Sequence, residues 1–120
     1  LNSHFALRIM YENNLFISVL TLGEIQKGIA KLPDSKKKDS LKKWLHNDLI
    51  SRFTNRIIDI DDKIAYKWGS LQGQSELDGQ KMSVIDSLIA ATAITYDLVV
   101  VTRNEKDVIY SNCMIHNPWK

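Results

Sequence analysis

A layered α/β fold around a short, mostly parallel sheet is predicted by three features of this 120-residue chain. Helical apolar spacing alternates with short apolar runs along the sequence. The run Leu98-Val-Val-Val-Thr102 has no polar alternation, the pattern of a parallel strand covered on both faces. The length suits one domain spanning 1–120, and no repeat or Gly/Ser linker divides it.

From the N-terminus, Phe5, Ile9 and Met10 have the spacing of a short helix ending at Asn13-Asn14. Leu15 to Leu20 is a compact apolar run and reads as a buried strand, with Thr21 as N-cap of the next helix. That helix carries Ile25, Ile29 and Leu32 as its apolar stripe, and Pro33 follows it. A second helix is expected from Lys36 to Phe53, with Leu41, Trp44, Leu45 and Leu49 on one face and lysines opposite. Arg56 to Ile60 reads as another short strand. Asp61 and Asp62 open a helix through Ile64, Ala65, Trp68 and Leu71, their charge suited to its positive end. Gly73 and Gly79 make Gln72 to Lys81 a loop. From Ser83 to Tyr96 apolar residues occupy nearly every face, as in a helix buried in a core. The strand Leu98 to Thr102 follows, and Met114-Ile115 is a last short strand before Pro118.

Hydrophobic residues at 44% and charged residues at 25% exclude a disordered chain, a collagen-like chain and a disulfide scaffold. Cys113 is the only cysteine, so no internal disulfide forms, which fits a reducing compartment. No apolar run approaches the roughly 18 residues of a membrane span, and no signal peptide is visible. A cytoplasmic location is expected. The net charge of +2 is uninformative, but its distribution is not. Nine basic residues stand against three acids from Lys27 to Arg56, a local +6, and nine acids against five bases from Ile57 to Asp107, a local −4. Such a division suits a phosphate backbone held on one part and carboxylates gathered on another. A solvated helix face carrying lysines accounts for the same charges.

Two acids sit in matching settings, Glu24 in Thr21-Leu-Gly-Glu24 and Asp86 in Ser83-Val-Ile-Asp86. Both fit a capping box, in which the acid reaches back to the N-cap amide and stabilises the helix by about 1 kcal/mol. Capping alone explains the pattern. The surroundings of Asp86 argue for more, because its helix is almost wholly apolar and its stripe continues through the small Ala90 and Ala93. A carboxylate at the mouth of a buried helix is costly unless paired, capped or bound to a metal. Glu24 follows a strand in the same way, and a third acidic group, Arg103-Asn-Glu-Lys-Asp107, comes directly after the strand at Leu98. Ligands of parallel α/β sheets bind beyond the carboxyl ends of the strands, where all three positions would gather. Two unit charges 4 Å apart repel by roughly 4 kcal/mol at an effective dielectric near 20. A divalent cation removes that cost, and oxygen ligands favour Mg²⁺ or Mn²⁺. Zinc is disfavoured, since His4, His46 and His116 are scattered and Cys113 is alone. Those histidines read as surface or packing residues. No Walker loop, dinucleotide fingerprint, nucleophile elbow or Ser-His-Asp arrangement is present.

Ile17-Ser-Val-Leu-Thr-Leu-Gly-Glu-Ile-Gln-Lys-Gly28, Ile85-Asp-Ser-Leu-Ile-Ala-Ala-Thr-Ala93 and Val101-Thr-Arg-Asn-Glu-Lys-Asp107, in this order, closely resemble PIN-domain ribonucleases, specifically VapC-type toxins of bacterial toxin–antitoxin pairs. The terminal Asn117-Pro-Trp119 is similar to the end of such chains. The resemblance implies a PIN-like α/β/α sandwich and a Mg²⁺- or Mn²⁺-dependent endoribonuclease, homodimeric and held in check by an antitoxin protein. It implies Glu24 and Asp86 as metal-holding acids, with the last acidic position filled by either Asn104 or Asp107, and Asp107 as the candidate third carboxylate. Thr102 orients a ligand or the attacking water, or is simply a β-branched strand residue. The chain opens at Leu1, at what resembles the family's second helix. Relative to the family pattern it is N-terminally truncated. The central first strand, whose Asp-Thr-Asn-like motif supplies the principal metal ligand, is not in it.

Three functions compete on these residues. The first is a metal-dependent ribonuclease toxin hydrolysing RNA phosphodiesters. The second is a catalytically impaired PIN-like module that only dimerises or binds an antitoxin. The third is a basic RNA-binding domain using the Lys36 to Lys43 helix, whose binding would fall steeply with salt and need no metal. Trp44, Trp68 and Trp119 offer faces for base stacking, but Trp44 and Trp68 lie on apolar helical stripes, where core packing explains them.

Overall fold

The computed structural model of the protein describes residues 15–101 and 115–116, the last pair and residue 101 as backbone only. The alternation of helical and strand patterns produces β1 (Ile17–Ser18), α1 (Val19–Ala30), α2 (Lys36–Lys43), a π-helical stretch (Trp44–Leu49) and α3 (Ile50–Arg52). These are followed by β2 (Ile57–Ile58), α4 (Asp62–Leu77), α5 (Val84–Thr95), β3 (Val100–Val101) and β4 (Ile115–His116). The chain divides into two compact units, Leu1–Asp59 and Ile60–Lys120. Each contains one two-stranded parallel pair: Ile17 opposite Ile57 in the first, Val100 opposite Ile115 in the second. The predicted parallel character therefore holds. The expected opening helix, Thr102, Asn104, Asp107, Cys113 and Trp119 lie outside the described residues.

In the first unit the run Leu15 to Leu20 is not one strand. Strand β1 takes only Ile17 and Ser18, and Ser18 is already the N-cap of α1, its Oγ accepting from the Leu20 amide at 3.1 Å. The expected N-cap, Thr21, is instead inside the helix and buried. Periodicity cannot separate a short buried strand from the first turn of a buried helix, and Ser18 stops the strand by offering its hydroxyl to the helix. Ile17 before the cap and Leu22 in the first turns belong to one apolar cluster, a hydrophobic staple that sets the entry angle. Ile25 and Ile29 complete the buried stripe of α1, each worth about 1.5–3 kcal/mol on burial.

The helical run expected from Lys36 to Phe53 is present but contains a π-helical stretch. Leu41, Leu45, Leu49 and Phe53 recur every four residues, more than the 3.6 of an α-helix, so in a regular helix they would drift off one face. The wider i→i+5 turn absorbs the excess and keeps Leu45, Leu49 and Phe53 in the cluster with Ile25 and Ile29. Trp44 packs against the same cluster, as expected. Lys38 ties α2 to the end of α1: its Nζ donates to Leu32 O at 2.9 Å and Ala30 O at 3.4 Å, and lies 3.5 Å from Asp34 Oδ1. A cation on the last carbonyls of a helix complements its negative end. Arg56 is similarly engaged, donating to Leu15 O at 3.2 Å with its guanidinium 5.0 Å from the Phe53 ring centre.

In the second unit Asp61 caps α4 as predicted, accepting from the Ile64 amide at 2.8 Å. Asp61 also accepts from the Tyr96 hydroxyl, which holds its carboxyl below the ordinary value of 3.8 and pushes the phenol above 10.0. The loop expected from Gln72 is a correction, because α4 runs on to Leu77 with Gly73 inside it. A lone glycine costs a helix only about 1 kcal/mol, and buried Ser75 anchors this turn by donating to Gln80 O. The helix stops at Gly79, whose φ of +68° allows the Gly79 amide to reach Glu76 O and the Gln80 amide to reach Ser75 O.

Helix α5 is the buried helix its composition predicted. Ser87, Ala90 and Ala91 are fully buried, and their small side chains permit close packing against α4. Trp68 of α4 donates from Nε1 to Ser87 Oγ at 3.0 Å, so this indole has a packing role, as expected. Strand β3 departs from its forecast, for Val100 is buried while Val99 is 47% exposed, so the run is not covered throughout. The last strand begins at Ile115, one residue later than expected. No helix among the described residues is long and apolar enough to cross a membrane.

Candidate functional site

Glu24 and Asp86 reach their positions by different local routes. With Ser18 as N-cap, Glu24 is the sixth residue of α1 rather than its N3 acid, and the first turn of that helix contains no acid. The capping-box explanation for Glu24 therefore fails. Its carboxylate is half-buried; the Oε1 atom is buried and accepts no hydrogen bond, while the residue makes other interactions. Glu24 shares a helical stripe with buried Thr21 one turn before it and with Lys27 and Lys31 after it.

Asp86 is where its motif predicts. Ser83 caps α5, its Oγ accepting from the Asp86 amide at 3.1 Å, so Asp86 occupies N3 in the first turn. The helix dipole favours an anion there. Asp86 is half-buried and also has interactions of its own. The next residue, Ser87, donates to Val84 O at 2.9 Å and receives the Trp68 indole, which fixes this turn against α4. Asp86 thus stands on a rigid base.

Glu24 belongs to the first unit and Asp86 to the second, while Asn104 and Asp107 lie outside the described residues. Among the described residues there is no group of three or more His, Cys, Asp or Glu that would hold a metal ion. The donors that are described suit Mg²⁺ or Mn²⁺ by chemistry: carboxylate oxygens, one of them a buried atom without a hydrogen bond. His46 is exposed. A recess of about 550 Å³ on α4, lined by Asp62, Ala65, Tyr66, Gly69 and Ser70, includes neither candidate acid. Ser18 is the residue that sequence reasoning missed, and its signal was legible: a capping residue type between Ile17 and Leu22.

The PIN domain family model matches residues 2–110. The chain is 28% identical over 106 residues to Toxin FitB of Neisseria gonorrhoeae, covering 88% of this chain and 76% of that protein. It is 34% identical over 102 residues to Ribonuclease VapC2 of Rickettsia felis, covering 84% and 72%. The fold superposes on the crystal structure of FitAcB from Neisseria gonorrhoeae with a TM-score of 0.85 and 27% identity, covering 92% of this chain and 79% of that one.

Proposed function

Because this chain belongs to the PIN domain family, among its VapC-type members, we propose that it is the endoribonuclease toxin of a toxin–antitoxin pair, cutting RNA with Mg²⁺ or Mn²⁺. The observation that carries this reading is Glu24. Its place in mid-helix removes the capping reason for an acid in that motif, and its half-buried carboxylate is of the oxygen-ligand type that Mg²⁺ or Mn²⁺ takes. The ribonuclease name of the Rickettsia felis relative supports the reaction, and the name Toxin FitB of the Neisseria gonorrhoeae relative supports the toxin role. The matched 2–110 takes in most of both compact units, which supports reading them as parts of one PIN domain.

In this reading Glu24 and Asp86 would hold the metal, with Asp107 or Asn104 at the remaining position. When bound, the ion supplies positive charge for the phosphodiester and activates a water for attack. The chain's own residues do the positioning. Ser83 holds the first turn of α5 and the Trp68–Ser87 hydrogen bond fixes that turn, so Asp86 is presented without reorganisation. A homodimer in the cytoplasm, restrained by an antitoxin, completes the proposal. The test is cleavage of RNA by the purified chain in Mg²⁺ or Mn²⁺ and in EDTA. Cleavage confined to the metal supports the reading. A folded chain that binds an antitoxin but never cuts RNA would favour the non-catalytic module.

A further inference from the structure

We propose that the exposed lysines of α1 and α2 form a track for the phosphate backbone of single-stranded RNA, leading away from Glu24; this rests on the ribonuclease reading. Lys27, Lys31, Lys36, Lys37, Lys42 and Lys43 are all exposed. Among the described residues none of these six makes a side-chain hydrogen bond or an ion pair, whereas Lys38 is occupied by Leu32 O, Ala30 O and Asp34.

Complementing helix ends accounts for Lys38 and for the last-turn lysines, but not for the size of the excess. Protein surfaces ordinarily intersperse both signs, and here the segment from Lys27 to Arg56 carries +6. Lys36 and Lys37 stand with Asp39 in the first turn of α2, the positive end of the helix, where acids are preferred. Lys27 in the last turn of α1 and Lys31 at its C-cap suit the negative end of that helix and follow one another along its surface. A polyanion relieves the local excess of positive charge. The direction of the track comes from the stripe Glu24, Lys27, Lys31: at 1.5 Å per residue it extends about 10 Å, roughly three nucleotides of a stacked strand. Lysine ammonium groups are point charges, so the track positions the backbone and reads no sequence.

The test measures binding of a fluorescent single-stranded RNA oligonucleotide to the full chain in EDTA, across a salt series. Lys27→Gln/Lys31→Gln and Lys36→Gln/Lys37→Gln are compared with the parent and with Lys63→Gln/Lys67→Gln on α4, whose lysines are also exposed. Each track variant is expected to flatten the slope of log K against log salt by about 1.4, at about 0.7 per phosphate contact. The α4 variant should leave the slope unchanged. Unchanged slopes in the track variants, or equal flattening in the α4 variant, would overturn the track. Binding of poly-glutamate that depends on these lysines, with RNA binding indifferent to them, would reassign the surface to an acidic protein and also overturn it. Failure of the ribonuclease reading is read separately, as absence of metal-dependent cleavage by the parent; slopes that still fall as expected would support the track as an RNA surface.

Discussion

Replacing Ser18 by Ala and, separately, Thr21 by Val asks which residue begins α1. Ser18 Oγ accepts from the Leu20 amide at 3.1 Å, so Ser18→Ala leaves an orphan donor in the first turn. Loss of a Ser cap costs about 1 kcal/mol, within a range of about 0.5–2. For a chain of this size that lowers the melting temperature by roughly 4 °C. Thr21 is buried within α1 and is not its cap, and Val keeps its shape while removing the hydroxyl. Thr21→Val should therefore stay within about 0.5 kcal/mol of the parent, since an apolar isostere of an unbonded hydroxyl is near neutral. Equilibrium urea denaturation followed by far-UV circular dichroism reads both, with an unchanged m-value as the sign that only stability moved. If Thr21→Val costs as much as Ser18→Ala, the helix begins at Thr21. Glu24 is then a capping residue after all, and the reasoning that gives it a functional role is refuted.

Three other outcomes follow from packing, backbone conformation and charge. Ile64 is fully buried, so Ile64→Ala should destabilise the chain by about 2–5 kcal/mol in the same denaturation assay. Asp97 ends α5 with a φ of 55°, a region that glycine adopts without strain, so Asp97→Gly should raise stability by about 0.5–1 kcal/mol. Tyr96 lowers the Asp61 carboxyl by hydrogen bonding, so that contribution to stability is present above the ordinary 3.8 and lost as pH falls through the lowered value. The phenol, raised above 10.0, loses its contribution as pH rises through its own raised value. Tyr96→Phe should thus move the Asp61 titration upward by NMR and shift the acid unfolding midpoint to higher pH; an unmoved titration would show that the bond does not persist in solution.

Much of this was legible in the sequence because long amphipathic or apolar helices carry redundant signals. Asp61 before Ile64 and Trp68 marked the start of α4, and Ser83-Val-Ile-Asp86 marked the start of α5. The misses fall where two physical rules compete. Leu15 to Leu20 satisfied a strand pattern, yet Ser18 caps a helix within it. Gly73 signalled a loop, but its cost was small against continuing α4 to Ser75 and Leu77. The π-helical stretch follows from a four-residue repeat that resembles an ordinary helical stripe until its drift is counted. Asp86 stands where its capping motif placed it, whereas the capping motif read for Glu24 is not formed, because α1 begins at Ser18.

The most direct measurement is the initial rate of RNA cleavage by the purified chain in Mg²⁺, with Asp86→Asn and an EDTA control beside it. The substitution keeps the shape of the side chain and removes its charge. Loss of a metal-holding carboxylate should lower the rate by about 100-fold or more, as second-shell changes alone cost 10–100-fold. The account predicts cleavage by the parent, none in EDTA, and that loss in a variant whose circular dichroism spectrum is unchanged. Cleavage that persists undiminished in Asp86→Asn or in EDTA would contradict it.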